Sequence, residues 1–217
     1  MTDFAHYLQP FPDWFTLGPN LRFFQAHHVR GVFEEGAYES FGAEMAELRA
    51  WVLAQLLWNP QQDDRALIRE FLDGYYGAAG KPLECYLELM QKASQGFNLT
   101  IGAPTDAPFL RFQPLAQAEA LWREAEQAVA DNDELRARVR QGHLAVQYVW
   151  LARWEPLRKE CSDAGATWPF TVSRVEFARQ WLAAAQGVPE KPWTTVTTVS
   201  EGQFTPQEFV SRILEKP

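Results

Sequence analysis

The chain is poor in cysteine, with only Cys85 and Cys161 among its 217 residues. Two isolated cysteines cannot form a disulfide framework, and they do not have the close spacing of zinc ligands. We therefore predict no disulfide scaffold, no metal site and no cofactor. Each cysteine is expected to be a small buried apolar residue.

Positive charge is also scarce: the chain has 20 Lys and Arg residues but 28 Asp and Glu residues, for a net charge of −8. A surface that binds nucleic acid needs clustered Lys and Arg to neutralise phosphates. The densest basic group, Arg136, Arg138 and Arg140, alternates along a predicted helix and is read as a solvated face. Nucleic acid is therefore not an expected partner.

Long hydrophobic runs are missing as well. No stretch reaches the roughly 18 consecutive apolar residues that a membrane-spanning helix needs, so we expect no membrane partner. The first residues, MTDFAHYLQPFPDW, have no basic start and no continuous apolar core, which is unlike a secretory signal peptide. The location of the protein stays open, with the cytoplasm as the default expectation.

Aromatic residues are abundant instead, with nine Trp, fifteen Phe and six Tyr. Tryptophan suits stacking against sugar rings, because both present flat apolar faces with polar rims. It also fills core space, and most of these tryptophans fall inside helical patterns. For any one of them, a place in the core is the favoured interpretation.

Apolar periodicity predicts a mainly helical chain. A helix over residues 42–58 is apolar almost all round, which indicates burial on more than one side. Residues 29–33, VRGVF, read as a short buried strand followed by the loop EEGAYES, and residues 194–199, TTVTTV, as a lone strand. The other predicted helices span residues 21–28, 63–76, 81–95, 115–130, 133–154, 171–187 and a short segment opened by a capping box at Thr205 and Glu208.

One strand between two helices cannot make a sheet by itself. The order of loop, helix, strand, loop and helix over residues 7–58 is typical of the last part of a βα-barrel. Barrel enzymes place their sites at the C-terminal ends of the strands. Glu34, Glu35 and the aromatic loop at residues 7–15 would lie at that end.

Four sequence blocks carry a resemblance to a known family. YLQPFPDWFTLGPNLRFF, VRGVFEEGAYES, ELRAWVLAQLLWNP and LIREFLDGYYGAAG, in this order, resemble the closing portion of a bacterial glycoside-hydrolase-like barrel family. Its members look related to alpha-glucuronidases and beta-hexosaminidases, and some act as endo-beta-N-acetylglucosaminidases. The resemblance covers roughly residues 3–95, and the rest is similar only to the helical extension that follows such barrels.

The resemblance implies that the catalytic acid lies on barrel strands upstream of the matched blocks, so no catalytic residue is assigned here. It implies a substrate-facing wall made of the strand end at Gly31–Glu34 and the loop Tyr7–Pro12. Family members show Glu-Gln-Gly where this chain has Glu34-Glu35-Gly36, so Glu34 matches the family acid. Glu35 departs from that pattern, which leaves a paired role for it open.

The residues themselves set limits on this site. Glycoside hydrolysis uses two carboxyl groups about 5 to 9.5 Å apart, and adjacent residues of a strand point to opposite faces. Glu34 and Glu35 therefore cannot both face one sugar from a regular strand, and each has the alternative of a solvated loop acid. Tyr38 either lines the same mouth or packs under the loop, and His6 reaches the mouth from the opening loop.

We expect a mainly α fold, with residues 1–60 as a remnant of the last βα units of a TIM-like barrel and residues 61–217 as a helical region. The leading hypothesis is the C-terminal part of a carbohydrate-active protein, inactive alone and with carbohydrate as its ligand. The alternatives are a self-standing helical module that binds carbohydrate or protein, and a subunit that completes a split barrel. Self-association, or a partner chain that supplies the missing strands, would cover the apolar surface of the helix at 42–58.

Overall fold

The computed structural model describes residues 2–215, and this part of the chain is mainly helical, as predicted. Four single turns of 3₁₀-helix connect the longer elements. Within the described residues the α-helices are α1 Leu17–Ala26, α2 Ala46–Trp58, α3 Asp64–Tyr76, α4 Gly80–Ala93, α5 Phe112–Ala128, α6 Asp133–Ala152, α7 Trp154–Asp163, α8 Arg174–Ala185 and α9 Pro206–Glu215.

No β-sheet forms between residues 2 and 215, where the pairing is limited to two isolated bridges. The strand predicted over residues 29–33 does not form, and of residues 194–199 the first, Thr194, ends a short 3₁₀ turn while the rest form no strand. A lone strand has no neighbour with which to share its backbone hydrogen bonds. The barrel remnant expected over residues 1–60 is therefore not confirmed.

At two of the helix boundaries that differ from the prediction, the backbone angles show where the helix stops or starts. Helix α2 begins at Ala46 because Gly42 and Met45 both have positive φ angles, of 82° and 50°, which no right-handed helix accommodates. The helix predicted over residues 133–154 ends at Ala152, since Arg153 leaves the helical conformation at φ −121° and ψ 27°. The separate helix α7 then starts at Trp154.

Side chains cap two other helices, and the capping box predicted at Thr205 and Glu208 is confirmed. The Asp63 side chain accepts hydrogen bonds from the backbone N–H groups of Arg65 and Ala66, at 2.9 and 3.1 Å. The Thr205 hydroxyl accepts from the Glu208 N–H at 3.2 Å, while the Glu208 carboxylate accepts from the Thr205 N–H at 2.9 Å. Both arrangements satisfy N–H groups that a helix start leaves unpaired.

The helices pack in chain order around one aromatic-rich core. Helix α5 lies between α4 and α6, α8 packs on α6, and α9 on α8, while α1 and α2 join the bundle through α3. The tryptophans mostly fill this core, in agreement with the favoured interpretation. The fully or nearly fully buried ones are Trp14, Trp122, Trp150, Trp154 and Trp181.

Buried side chains from both sides of residue 60 belong to a single cluster. Leu48, Val52 and Leu56 of α2 are in it together with the cores of α4 to α9. Such a continuous core lets the two regions melt as one unit. The division into 1–60 and 61–217 stays a prediction from the sequence.

Candidate functional site

The segment between α1 and α2, which we call the open segment, forms no helix or strand over residues 29–37 and is largely exposed to solvent. Within the described residues, the backbone of residues 30–35 makes no hydrogen bond to other backbone groups or to side chains, and all six residues are exposed. The segment starts after His28, which has a φ of 63°, and ends where Ser40 donates to the Thr198 carbonyl at 2.6 Å. It is therefore anchored at both ends and free along its middle.

A cleft of about 620 Å³ opens beside this segment, and we call it the aromatic cleft. Its walls come from the segment itself, from the loop before α1, and from the end of α4 with the turn that follows. Polar side chains reach it from all three, including Asp13, Glu34 and Gln91. The aromatic side chains around it are Phe11, Phe24, Phe33 and Phe97.

A second hollow of about 290 Å³, the α2 cleft, lies on the other side of Glu34. Small residues of α2 form its floor, because Ala46, Ala50 and Ala54 recur every four residues on one helix face. Glu34 also lines this hollow, so this side chain stands between the two clefts. Most of the surface of the α2 cleft is apolar.

A buried ion-pair network supports the walls of both clefts. The Arg49 guanidinium donates to Asp13 Oδ1 at 2.9 Å and to Glu44 Oε2 at 2.8 Å, and it lies 5.5 Å from the centre of the Trp14 ring. The Tyr86 hydroxyl donates to the other Glu44 oxygen at 3.2 Å. Asp13 lines the aromatic cleft, while Glu44 and Arg49 line the α2 cleft.

The charges of this network do not balance within the three side chains. Burial raises the pKa of Glu44 to about 7, although Arg49 pulls it down. Burial opposes the charge of Arg49, yet Asp13 and Glu44 outweigh it and raise the pKa of the guanidinium. One guanidinium thus serves two carboxylates, and Glu44 is the group that takes up a proton near neutral pH.

A second polar cluster lies deep between α5 and α6. Both ring nitrogens of His143 meet carboxylates, with Nε2 at 3.0 Å from Glu119 and Nδ1 at 2.7 Å from Glu126. The ring stacks on Trp122 with 5.6 Å between centroids. Burial would lower the pKa of His143, but the two carboxylates raise it to about 9, so the ring is cationic at neutral pH.

Glu34 and Glu35 are the predicted site residues that the structure places at the clefts. Both side chains are exposed and line the α2 cleft, and Glu34 alone also reaches the aromatic cleft. Because residues 29–37 are not a regular strand, adjacent side chains need not point to opposite faces. The two acids therefore share one rim, which the sequence argument had excluded for a strand.

The other three predicted residues lie elsewhere. Tyr7 is fully buried, and burial raises its pKa to about 12, so a ligand has no access to its side chain. Tyr38 donates its hydroxyl to Glu201 at 2.8 Å and fastens the segment to the C-terminal region. His6 lies 3.0 Å from the Tyr148 hydroxyl, and burial lowers its pKa.

The sequence argument did not single out Asp13, Glu44, Arg49 or Gln91. The signal for Arg49 was present, because it stands in a helix that is apolar almost all round. A charged residue on such a helix must be buried and must have a partner of opposite charge. Of the partner acids, Glu44 lies only five residues before Arg49, whereas Asp13 is 36 residues away in the aromatic loop and could not be deduced from the sequence.

The described residues contain no group of three or more His, Cys, Asp or Glu side chains that could hold a metal ion. Among the same residues, no helix combines the length and the apolar character that crossing a membrane requires.

Residues 1–88 match the model of a family described as a domain of unknown function, DUF4838. The match covers less than half of the chain, and the description assigns no activity. It includes the aromatic loop, the open segment and helices α1 to α3, and thus most of the residues around both clefts. Neither the curated proteins nor the solved structures give a match to this chain.

Proposed function

We propose that this chain is the C-terminal part of a carbohydrate-active, glycoside-hydrolase-like protein, that it contributes a sugar-binding wall, and that it is inactive alone. The observation that carries the proposal is the aromatic cleft beside Glu34. It combines a phenylalanine-lined surface with the carboxylates of Asp13 and Glu34 and the amide of Gln91. Sugar sites combine apolar ring faces with a few well-placed polar groups in this way.

The same geometry argues against hydrolysis by these residues. Hydrolysis needs two carboxyl groups that flank the bond, one of them free to move a proton. Of the two carboxylates at the aromatic cleft, Asp13 is bonded to Arg49, which leaves Glu34. Glu34 alone suits hydrogen bonding to sugar hydroxyls, so the proposal assigns no catalytic acid to residues 2–215.

A titration of the chain with neutral oligosaccharides, followed by ¹⁵N NMR, tests this proposal. We expect shift changes at Glu34, Gln91 and Phe97, and no release of chromophore from aryl glycosides. Glu34→Gln should weaken binding about tenfold by removing a charged hydrogen-bond acceptor. Glu155→Gln, at an exposed acid of α7, is the matched control and should bind as the unaltered chain does.

Two outcomes contradict the proposal in different ways. Hydrolysis at ordinary enzyme rates would place a catalytic acid within this chain. The absence of any shift change at the cleft would remove the carbohydrate ligand itself.

We also propose that the open segment becomes a strand by pairing with strands from elsewhere, either from further parts of a longer protein or from a partner chain. Its unpaired backbone supports this, and so do the side chains near it: Phe33 is 86% exposed, and Trp58, at the end of α2, is 90% exposed. A further hollow of about 400 Å³ separates residues 29–32 from the ends of α1 and α2. Exposed apolar side chains of this size are typical of surfaces that bind a partner.

A self-standing helical binding module is the second candidate, and the single continuous core favours it. A dye that fluoresces on apolar surfaces separates the two candidates. If residues 29–58 form a surface that binds a partner, the dye should bind the native chain. The double substitution Phe33→Ser with Trp58→Ser should then abolish the dye signal without lowering Tm. Val175→Ser, at an exposed valine of α8, is the control and should leave dye binding unchanged.

For the self-standing module we expect cooperative melting and no dye binding by the native chain. Dye binding that persists in the double variant would also count against a partner surface at Phe33 and Trp58.

A further inference from the structure

The charged side chains of the aromatic cleft are all acidic. Within the described residues, no Lys, Arg or His side chain lines it, whereas the carboxylates of Asp13 and Glu34 do. The buried cation Arg49 lines the α2 cleft and is already bonded to Asp13 and Glu44. The cleft therefore presents negative charge without a balancing cation, beside neutral polar side chains such as Gln95 and Asn98 that can both donate and accept.

Gln91 adds an acceptor that lacks a donor. Its side-chain Oε1 is shielded from solvent and has no hydrogen-bond partner among the described residues. The residue lies in the last turns of α4, and its side chain lines the aromatic cleft. Buried polar atoms in folded proteins nearly always have a partner, so an unpaired one in a cleft points to a group that a ligand supplies.

The partner that this oxygen lacks must be a donor. A hydroxyl or an amine can donate to Gln91 Oε1, whereas an ionised carboxylate, phosphate or sulfate only accepts. A ligand anion would also stand beside Glu34 with no cation to balance it, and uncompensated like charges are a common means of rejecting a wrong ligand.

We propose that the aromatic cleft binds a saccharide unit without negative charge, whose hydroxyl or amine donates to Gln91 Oε1, and that it rejects uronic acids. This inference rests on the proposed carbohydrate function and narrows its ligand class. Phe24 and Phe97, which are only partly buried, supply apolar surface for the sugar ring face, while Glu34 accepts from hydroxyls at the rim. Gln91 is then a residue that determines specificity.

Three trisaccharides of equal length test the charge preference: one of glucose units, one of glucosamine units and one of galacturonic acid units. Each is titrated into the chain, with the ¹⁵N NMR shifts of the Gln91 side-chain amide as the readout. We expect the glucose and glucosamine ligands to bind, and the galacturonic acid ligand to bind at least about tenfold more weakly. Because repulsion from the cleft's carboxylates causes this weakness, the disadvantage of the galacturonic acid ligand should shrink with added salt.

Two substitutions test the role of Gln91. Gln91→Leu removes the acceptor at similar size, so the glucose trisaccharide should bind about tenfold more weakly. Gln91→Glu keeps the acceptor and adds charge, so the glucosamine ligand should bind more tightly. Gln207→Leu, at an exposed glutamine of α9, is the control, and the dispersion of each spectrum reports whether the variant is folded.

The outcomes are distinguishable. If the galacturonic acid ligand binds as well as the glucose ligand, the charge inference is overturned and the proposed carbohydrate function stands. If Gln91→Leu binds as the unaltered chain does, the assignment of Gln91 is overturned. If none of the three ligands perturbs the cleft, the proposed function fails, and this inference fails with it.

Discussion

Replacing Arg49 by methionine is expected to lower the free energy of unfolding by about 3–5 kcal/mol, the usual effect of removing one partner from a buried ion pair. Methionine keeps most of the side-chain volume, so the loss comes from charge rather than from a cavity. Asp13 and Glu44 would remain buried without the guanidinium that bonds to both. Urea unfolding followed by tryptophan fluorescence measures the change, with a constant m-value as the check on two-state behaviour.

Two further variants test whether the loss of stability comes from the burial of the Arg49 ion pair rather than from the loss of any ion pair. Arg65→Met breaks an exposed pair with Glu88, 3.6 Å apart, and should cost less than about 1 kcal/mol. Arg49→Lys keeps the charge but loses the planar fork that reaches two acids, so its stability should lie between those of the two methionine variants. Equal losses for Arg49→Met and Arg65→Met would show that the network contributes nothing beyond a surface pair.

The helical part of the fold was predictable because its signals are local. The stripe from Leu67 to Tyr76 fixes one face of α3, and Asp63 caps it within three residues. The break at Arg153 was missed for the opposite reason. Its guanidinium donates to the Leu110 carbonyl at 2.6 Å, a contact with a residue 43 positions away that no sequence window contains.

The strand prediction at residues 29–33 failed for want of a partner. The run VRGVF contains the β-branched valines that favour a strand, but it forms none. A strand exists only where a neighbour shares its hydrogen bonds, and that neighbour is a property of distant sequence. Among residues 2–215 the segment finds no such neighbour, so no sheet forms.

The candidate site was predictable only in part. Glu34 was singled out by its position after an apolar run, and the structure places it between two clefts. Tyr7 was assigned to the same wall by resemblance, yet its ring is buried and its hydroxyl has no partner among the described residues. Gln91 had no sequence signal, because an unpaired acceptor becomes visible only when the packing around it is known.

Replacing His143 by glutamine is expected to change the pH dependence of stability most strongly above neutral pH. In the folded chain the pKa of His143 is raised to about 9, against about 6.5 for a free imidazole. The imidazolium therefore stabilises the fold fully below about pH 6.5, and this contribution disappears as the pH rises through about 9. We expect the unaltered chain to lose on the order of 3 kcal/mol over this range, a loss that His143→Gln should not show.

Glu119 and Glu126, the two acids that contact His143, determine how this cluster loses stability at acid pH. Burial would raise the pKa values of Glu119 and Glu126, but the His143 imidazolium outweighs it and lowers both. Their contribution is present above the unfolded pKa of a glutamate and is lost as the pH falls through the lowered values, so the stabilisation by this cluster should be largest between about pH 5 and pH 6.5. His27→Gln, at an exposed histidine, is the control and should keep the pH profile of the unaltered chain. Urea unfolding across this pH range measures the free energy of unfolding at each pH. Identical pH profiles of this free energy for His143→Gln and the unaltered chain would contradict a cationic His143.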